Sequence, residues 1–233
     1  MLYGSPDGNA HPYVGIVRFF DEDGNYLWRC SGTLISPTVF LTAGHCVFGT
    51  ASAEVWFTET APTSAEVRSG NYTRGVTGTP YAYPGYDDFA TFPNTGDVGV
   101  VVLDNPVSMS TYGLLPSAGL VATLYKHTVF DIVGYGLQDV QPAEIARVAR
   151  IAGEAMLINA TSGYSGGFNL HLSSNNGKPH QGGLCFGDAG GPVLYGSTVV
   201  AVNSFVINGN CAGSGYSYRI DQPEVLSWIQ SFL

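Results

Sequence analysis

Charge is what this sequence has least of. Charged residues make up 12% of the 233, about half the usual ~25%. Nine are Lys or Arg and eighteen are Asp or Glu, for a net charge of −9. There is no basic run, so binding to nucleic acid or to an anionic membrane is not expected, because phosphates need a cationic footprint. Long apolar runs are also missing: none reaches the ~18 residues of a membrane span. No signal peptide is visible, and Met1 followed directly by Leu2-Tyr3-Gly4-Ser5 reads as a recombinant start on a mature domain. The four cysteines form no CxxC pair, which argues against a zinc knuckle or a thioredoxin motif. His11, His127, His171 and His180 lack the paired spacing of zinc ligands. No metal and no cofactor is expected.

What is present points to β structure. Hydrophobic residues reach 45%, enough for a sizeable core, and 31 Gly accompany 14 Tyr and 12 Phe. A turn-rich, aromatic-rich chain favours strands over helices. Short apolar runs between Gly, Pro and Asn predict strands at 14–20, 33–41, 53–58, 98–103, 129–133, 146–153, 191–194, 199–205 and 216–220. Residues 21–25 predict a hairpin turn. Two long loops, 83–94 and 161–183, fall between them, and loops of that length usually carry function or mobility. Only the end reads as helical. Pro223 fits a first turn, and Val225, Leu226, Ile229, Phe232 and Leu233 share one face. Many strands and one terminal helix imply a closed β architecture. The four cysteines, at 30, 46, 185 and 211, suit two disulfides and an oxidising compartment, with three pairings open.

Three segments carry chemistry. The first is Leu41-Thr42-Ala43-Gly44-His45-Cys46, with Cys30-Ser31-Gly32-Thr33 upstream. The second is Gly96-Asp97-Val98-Gly99-Val100, preceded by Pro84-Gly85-Tyr86-Asp87. The third is Cys185-Phe186-Gly187-Asp188-Ala189-Gly190-Gly191-Pro192. Together they resemble the histidine, aspartate and nucleophile segments of the chymotrypsin/trypsin-like serine proteases. The resemblance spans the chain to the terminal Trp228-Ile229. One residue departs from the pattern: Ala189 stands where the family carries its nucleophilic serine.

The resemblance implies an all-β fold of two antiparallel six-stranded barrels with a C-terminal helix. It makes residues 1–233 a single peptidase domain, with barrels near 14–115 and 116–220 and the helix at 222–233. It implies His45 as the base, Asp97 as the carboxylate that orients it, and the N–H groups of Gly187 and Ala189 as the oxyanion hole. Asp87, Asp88 and Asp104 compete with Asp97 on residue type alone. Cys30 is expected to pair with Cys46 and Cys185 with Cys211. The specificity pocket maps onto Gly183 as its base and Ser204, Phe205 and Val206 as its wall. Trypsins carry Asp at the base position, so a basic P1 residue, the one before the scissile bond, is not expected. Val206 or Ile207 narrows the mouth, as in the elastases; the segment to Cys211 is one residue longer than usual, which leaves the two unseparated.

The family often buries a new N-terminal amine against the aspartate before the serine, here Asp188. With Met1 ahead of Leu2-Tyr3-Gly4-Ser5, that amine is displaced and Asp188 needs another partner, such as an Arg or Lys. Glu54, Glu59 and Glu66 bracket a loop where some members bind calcium, but they form no ligand run, and no calcium site is expected. Asn71-Tyr72-Thr73 and Asn159-Ala160-Thr161 are sequons, meaningful only in a eukaryotic secretory pathway.

The function implied is a secreted, monomeric serine endopeptidase acting on peptides or proteins through an acyl-enzyme, inactive here for want of the hydroxyl at 189. An introduced Ser-to-Ala replacement is the preferred origin. A relic freed from catalysis would have no reason to keep His45, Asp97 and Gly187 together. The alternative is a natural pseudoprotease that keeps a peptide-binding groove.

Overall fold

A computed structural model describes residues 1–175, 177 and 180–233. The chain opens with β1 (Ser5–Pro6) and then builds one barrel from β2 (Val14–Phe20), β3 (Tyr26–Ser36), β4 (Val39–Thr42), β5 (Ser52–Trp56), β6 (Val76–Ala82) and β7 (Gly99–Leu103). These close in the order β2-β3-β4-β7-β6-β5. A one-turn helix, α1 (Gly44–Val47), follows β4, and α2 (Ser64–Ser69) follows β5. The second barrel contains β8 (Val129–Gly134), β9 (Ile151–Asn159), β10 (Asn169–Ser174), β11 (Pro192–Tyr195), β12 (Thr198–Val206) and β13 (Gly213–Arg219). It closes through the β8–β9 pairing, with β1 added alongside β9. All named pairings are antiparallel, and α3 (Pro223–Gln230) ends the described elements. The chain thus forms the two six-stranded barrels and terminal helix that the sequence implies.

Most strands fall where apolar runs place them; the departures have local causes. The expected strand at 33–41 is two strands, because Pro37 and Thr38 turn the chain between β3 and β4. β6 has no clean apolar alternation, since Gly78 and Pro80 interrupt it. Pro80 is tolerated because β5 pairs only with Val76–Gly78, so one side of Pro80 lies beyond the β5 ladder. α2 is an unexpected helix. Thr63 accepts from the Glu66 N–H at 3.2 Å, and the Glu66 carboxylate takes the Thr63 N–H at 2.6 Å, a capping box. The expected strand at 146–153 lies mostly too early, since β9 runs through Asn159. The loop expected at 161–183 contains β10; within it, residues 176, 178 and 179 lie outside the described residues.

Each barrel has an apolar interior: Ile16, Phe40, Val55 and Val100 in the first, Phe130, Leu170, Leu172 and Val200 in the second. Three polar links join them near the site. The Ser31 N–H on β3 donates to Ala189 O at 2.8 Å, its hydroxyl donates to Gly187 O at 2.8 Å, and that hydroxyl accepts the Tyr135 N–H at 2.9 Å. Because a strand of one barrel holds the loop of the other, the position of residue 189 is tied to both barrels.

Candidate active site

His45 sits on α1, directly after β4, where all four strand residues are buried. Cys46 beside it is bonded to Cys30 on β3, and the second disulfide joins Cys185 to Cys211, the pairing the resemblance implies. Asp97, fully buried, lies two residues before β7. Its Oδ1 accepts the His45 backbone N–H at 2.7 Å, and its Oδ2 stands 2.9 Å from His45 Nδ1. The Ser204 hydroxyl, from the second barrel, donates to Oδ2 as well. Ser204 can turn toward Asp97 because the β12–β13 register shifts between Asn203 and Phe205, a local bulge.

The two ionisable groups shift each other. Burial opposes charge on Asp97, but the His45 cation and the hydrogen bonds from His45 and Ser204 outweigh it, holding the carboxyl below its ordinary range. Burial likewise pushes His45 down, and Asp97 more than reverses it, leaving the imidazole above its ordinary value with a smaller push from Asp88. With Nδ1 committed to Asp97, the proton of a neutral ring resides on Nδ1. Nε2 is left as the basic atom, with the Cys46 sulfur 3.7 Å away.

The loop 185–191 is shaped by two glycines. Gly187 adopts φ +97°, and Gly190, at φ +83°, packs so closely that a Cβ would meet Ser31 O and the Ala43 N–H. Among the described residues, the N–H groups of Gly187 and Ala189 have no acceptor, whereas those of Asp188, Gly190 and Gly191 donate to Cys185 O, Asn203 O and Asp188 O. The exposed Phe186 N–H likewise has no acceptor among the described residues, so the loop carries three free donors, two of them flanking Asp188.

Asp188 behind them is fully buried and fully engaged. Oδ1 accepts the Gly136 N–H at 2.9 Å, and Oδ2 accepts the Cys185 N–H at 3.0 Å. Its remaining partner is the Met1 ammonium, 2.8 Å from Oδ2, which also donates to Leu137 O at 2.6 Å. This corrects the expectation that Met1 displaces the amine and leaves Asp188 to an Arg or Lys. Met1 itself is the inserted residue, its side chain buried in the second barrel and Leu2 paired with Gly183. Burial lowers the amine below its ordinary value, with Asp188 opposing.

A cavity of about 530 Å³ opens between the barrels, lined by His45, Ala189, Gly187, Ser204, Phe205 and Val206 among others. Gly183 is not part of the lining. Its backbone pairs with Leu2 on both sides, and the Ser174 hydroxyl fills the space a Cβ would take. Leu184 and Val206 are apolar members of the lining. Ile207 is exposed and outside the cavity, which separates it from Val206. Along one wall, Phe205 stacks on Tyr216 at 4.8 Å and Tyr216 on His171 at 4.5 Å. Beyond Asn203 the β11 ladder stops while β13 continues to Val206, so Ser204–Val206 has an edge that β11 does not cover.

Sequence reasoning does not reach several lining residues: Trp28, Arg29, Tyr86, Phe89, Leu184 and Phe186. The Pro84-Gly85-Tyr86-Asp87 segment marks Tyr86 as part of the family pattern without giving it a place in the cavity, and only the length of the 83–94 loop hints at Phe89. Asp88, a competitor of Asp97 on residue type, also lines the cavity. The three glutamates share no site. Glu54 is held by Arg74 Nε at 2.9 Å, the Gly75 N–H at 2.6 Å and the Tyr72 hydroxyl at 2.9 Å, and Glu66 caps α2. Carboxylates spent on protein groups in this way do not suit a calcium ion.

Comparison with known proteins agrees with this geometry. The trypsin family model matches residues 5–229. Brachyurin from Leptuca pugilator is 28% identical, covering 96% of this chain and 93% of its own length. A trypsin from Saccharopolyspora erythraea is 24% identical, covering 88% and 86%. Among solved structures, a collagenase superposes with a TM-score of 0.76 at 19% identity over 99% of this chain and 97% of its own. Human heparin binding protein gives 0.70 at 17% identity over 99% and 96%, a likeness of fold. A histidine held by a buried aspartate, a loop with free N–H donors in the same cavity lining and a family match over nearly the whole length lead to one assignment: the chain belongs to the trypsin family of serine proteases.

Proposed function

We propose that this chain is the Ser-to-Ala form of a secreted serine endopeptidase, complete except for the nucleophile. The observation that carries the reading is the pair of free N–H donors at Gly187 and Ala189, set in one cavity with a His45 already oriented by Asp97. With serine at 189, His45 Nε2 takes the hydroxyl proton as the oxygen attacks a peptide carbonyl. The developing oxyanion rests on the two N–H groups. His45 then protonates the departing amine, and water opens the acyl-enzyme by the reverse roles. Asp97 remains ionised and stabilises the imidazolium. These steps call for no metal or cofactor. With alanine at 189 the attacking oxygen is missing, and the acyl-enzyme cannot form. Two disulfides fit an oxidising, extracellular setting, and the substrate is a peptide or protein bound as one monomer's extended partner along Ser204–Val206.

The test is Ala189→Ser. The restored protein should cleave peptides about 10⁶-fold faster than the chain as written and lose that activity to phenylmethylsulfonyl fluoride. A folded Ala189→Ser protein that neither cleaves nor reacts with fluorophosphonates would defeat the reading in favour of a pseudoprotease with a peptide-binding groove.

A further inference from the structure

The wall of the cavity beside His45 is built from an unusual pair. Asp88 and Phe89 are consecutive residues with φ +57° and +65°. Left-handed backbone is uncommon for any residue but glycine and costly for a bulky one, so two in succession persist only where packing holds them. Packing does so here. The Phe89 ring meets three others: His45 at 6.1 Å, Tyr86 at 5.8 Å edge-on, and Phe205 at 6.0 Å edge-on. The Tyr86 hydroxyl donates to Asp88 Oδ1 at 3.3 Å, while Oδ2 has no hydrogen-bond partner among the described residues. The neighbouring Asp87 is occupied differently, since its carboxylate accepts the Thr91 N–H and hydroxyl and closes the loop. Of the two acids, only Asp88 lines the cavity.

The strained pair therefore sets one half-free carboxylate and one aromatic ring in the lining next to His45. That combination suits a long aliphatic stem with a cationic end. The stem lies on the Phe89 ring, and the head meets the Asp88 carboxylate, which the hydroxyl of the buried Tyr86 holds in place. Arg29 is the other permanently charged group of the lining; it stands on β3 with its guanidinium donating to Tyr135 O at 3.1 Å. A net charge of −9 draws cationic peptides toward the molecule as a whole.

We propose that Asp88, with Tyr86 and Phe89, recognises a lysine or arginine side chain at P2, the residue preceding P1. This rests on the protease reading above, and it is separate from P1, for which the apolar lining at Leu184 and Val206 offers no countercharge. Asp88 is a specificity residue; it takes no proton in the reaction.

The experiment uses the Ala189→Ser protein and tetrapeptide substrates with one fixed apolar P1 and Lys, norleucine or Glu at P2. The expected order of kcat/KM is Lys above norleucine above Glu. Asp88→Asn keeps a side chain that tolerates left-handed backbone, and it should cut the Lys-to-norleucine ratio about threefold, the scale of a surface ion pair. Asp87→Asn removes the same charge one residue away and should leave the ratio intact. A Lys-to-norleucine ratio that Asp88→Asn does not change, or that both variants change equally, would overturn the site. So would an enzyme that prefers norleucine or Glu. If Ala189→Ser cleaves nothing, the protease reading fails by itself. The same peptides, fluorescein-labelled and bound to the chain as written, then decide the P2 site: binding about threefold tighter for Lys than for norleucine, lost in Asp88→Asn, supports it, and equal binding removes it.

Discussion

Two aspartates, Asp97 and Asp188, are both fully buried within reach of residue 189, and they are neutralised by opposite strategies. Asp97 is served from both barrels: His45 from the first, the Ser204 hydroxyl from the second. Its partner is an imidazole that can give up its charge. Asp188 is served by backbone N–H groups of the second barrel and by the chain's own Met1 ammonium. Its partner is anchored, buried and shielded from the cavity. A buried carboxylate needs a countercharge in either place. One network keeps that charge exchangeable, which acid–base chemistry requires. The other keeps it fixed, which holds the Gly187 and Ala189 donors in place. Both networks are intact around an alanine, so the apparatus on either side of the missing hydroxyl does not depend on it.

Breaking the exchangeable network should have the larger effect. Asp97→Asn removes the main charge that raises His45, so the imidazole should titrate at lower pH than in the parent, with burial opposed only by the smaller push from Asp88. Proton-resolved NMR titration of the chain as written reads this directly. In the Ala189→Ser protein the same change should cost about 10⁴-fold in kcat, the scale at which this family loses activity when the base is held in the wrong tautomer. Stability should respond with a definite sign. The folded value of His45 is raised, so its contribution is complete below pH 6.5 and fades as pH rises through the folded value. The folded value of Asp97 is lowered, so its contribution is present above pH 3.8 and fades as pH falls. Both act together between those limits. A pH-stability profile that Asp97→Asn leaves unchanged would mean that the pair is not coupled.

Breaking the fixed network should act on stability first. Acetylating the Met1 amine removes its charge and leaves Asp188 ionised and unpaired in the interior. The expected loss is about 3–5 kcal/mol, the usual penalty for stripping one partner from a buried pair. Urea unfolding of the acetylated and free chains measures it. Equal midpoints would show that Asp188 finds a different countercharge, and the contrast between the two aspartates would collapse.

The two networks also differ in how far the sequence discloses them. His45 and Asp97 sit in short contiguous motifs, and so do the disulfides beside them, because a tight turn or a strand start imposes its residues locally. Apolar runs broken by glycine and proline disclose many strands in a closed β architecture for the same reason, while the division into two barrels comes from the family resemblance. The Asp188 partner escapes a sequence reading because it is a backbone amine, brought in from the far end of the chain by burial of Met1 and by pairing of Leu2 with Gly183. No residue type announces that. Gly183 falls at the pocket-base position by spacing, but distance along the chain cannot show that Ser174 closes the space above it. The Thr63–Glu66 capping box is legible in the sequence, yet it is hidden while Glu66 is considered only as a calcium ligand. Left-handed backbone at Asp88 and Phe89 leaves no mark in the sequence: a bulky Phe disfavours it, and an Asp adopts it only occasionally.

The smallest effect concerns P1, and it sharpens the same contrast, since neither aspartate serves the pocket floor. Leu184 and Val206 are apolar in the cavity lining and are assigned to that floor, and the Val206 side chain, half-buried against Leu2, Leu137 and the Cys185–Cys211 disulfide, is backed by packed side chains. A cationic P1 would be desolvated there without a countercharge, which costs several kcal/mol. A large aromatic P1 would meet Val206. Among residues that fit, Ala, Val and Leu should be preferred by modest margins, because one methylene changes discrimination by about 1–3 kcal/mol. A P1 scan of the Ala189→Ser protein, with P2 held at norleucine so that Asp88 contributes no ion pair, measures the floor alone. Val206→Gly should then admit Phe and raise its kcat/KM relative to Ala about tenfold. A parent enzyme that prefers Arg or Lys at P1 under those conditions would require an acid reaching the floor from another strand, and Leu184 and Val206 would no longer define it.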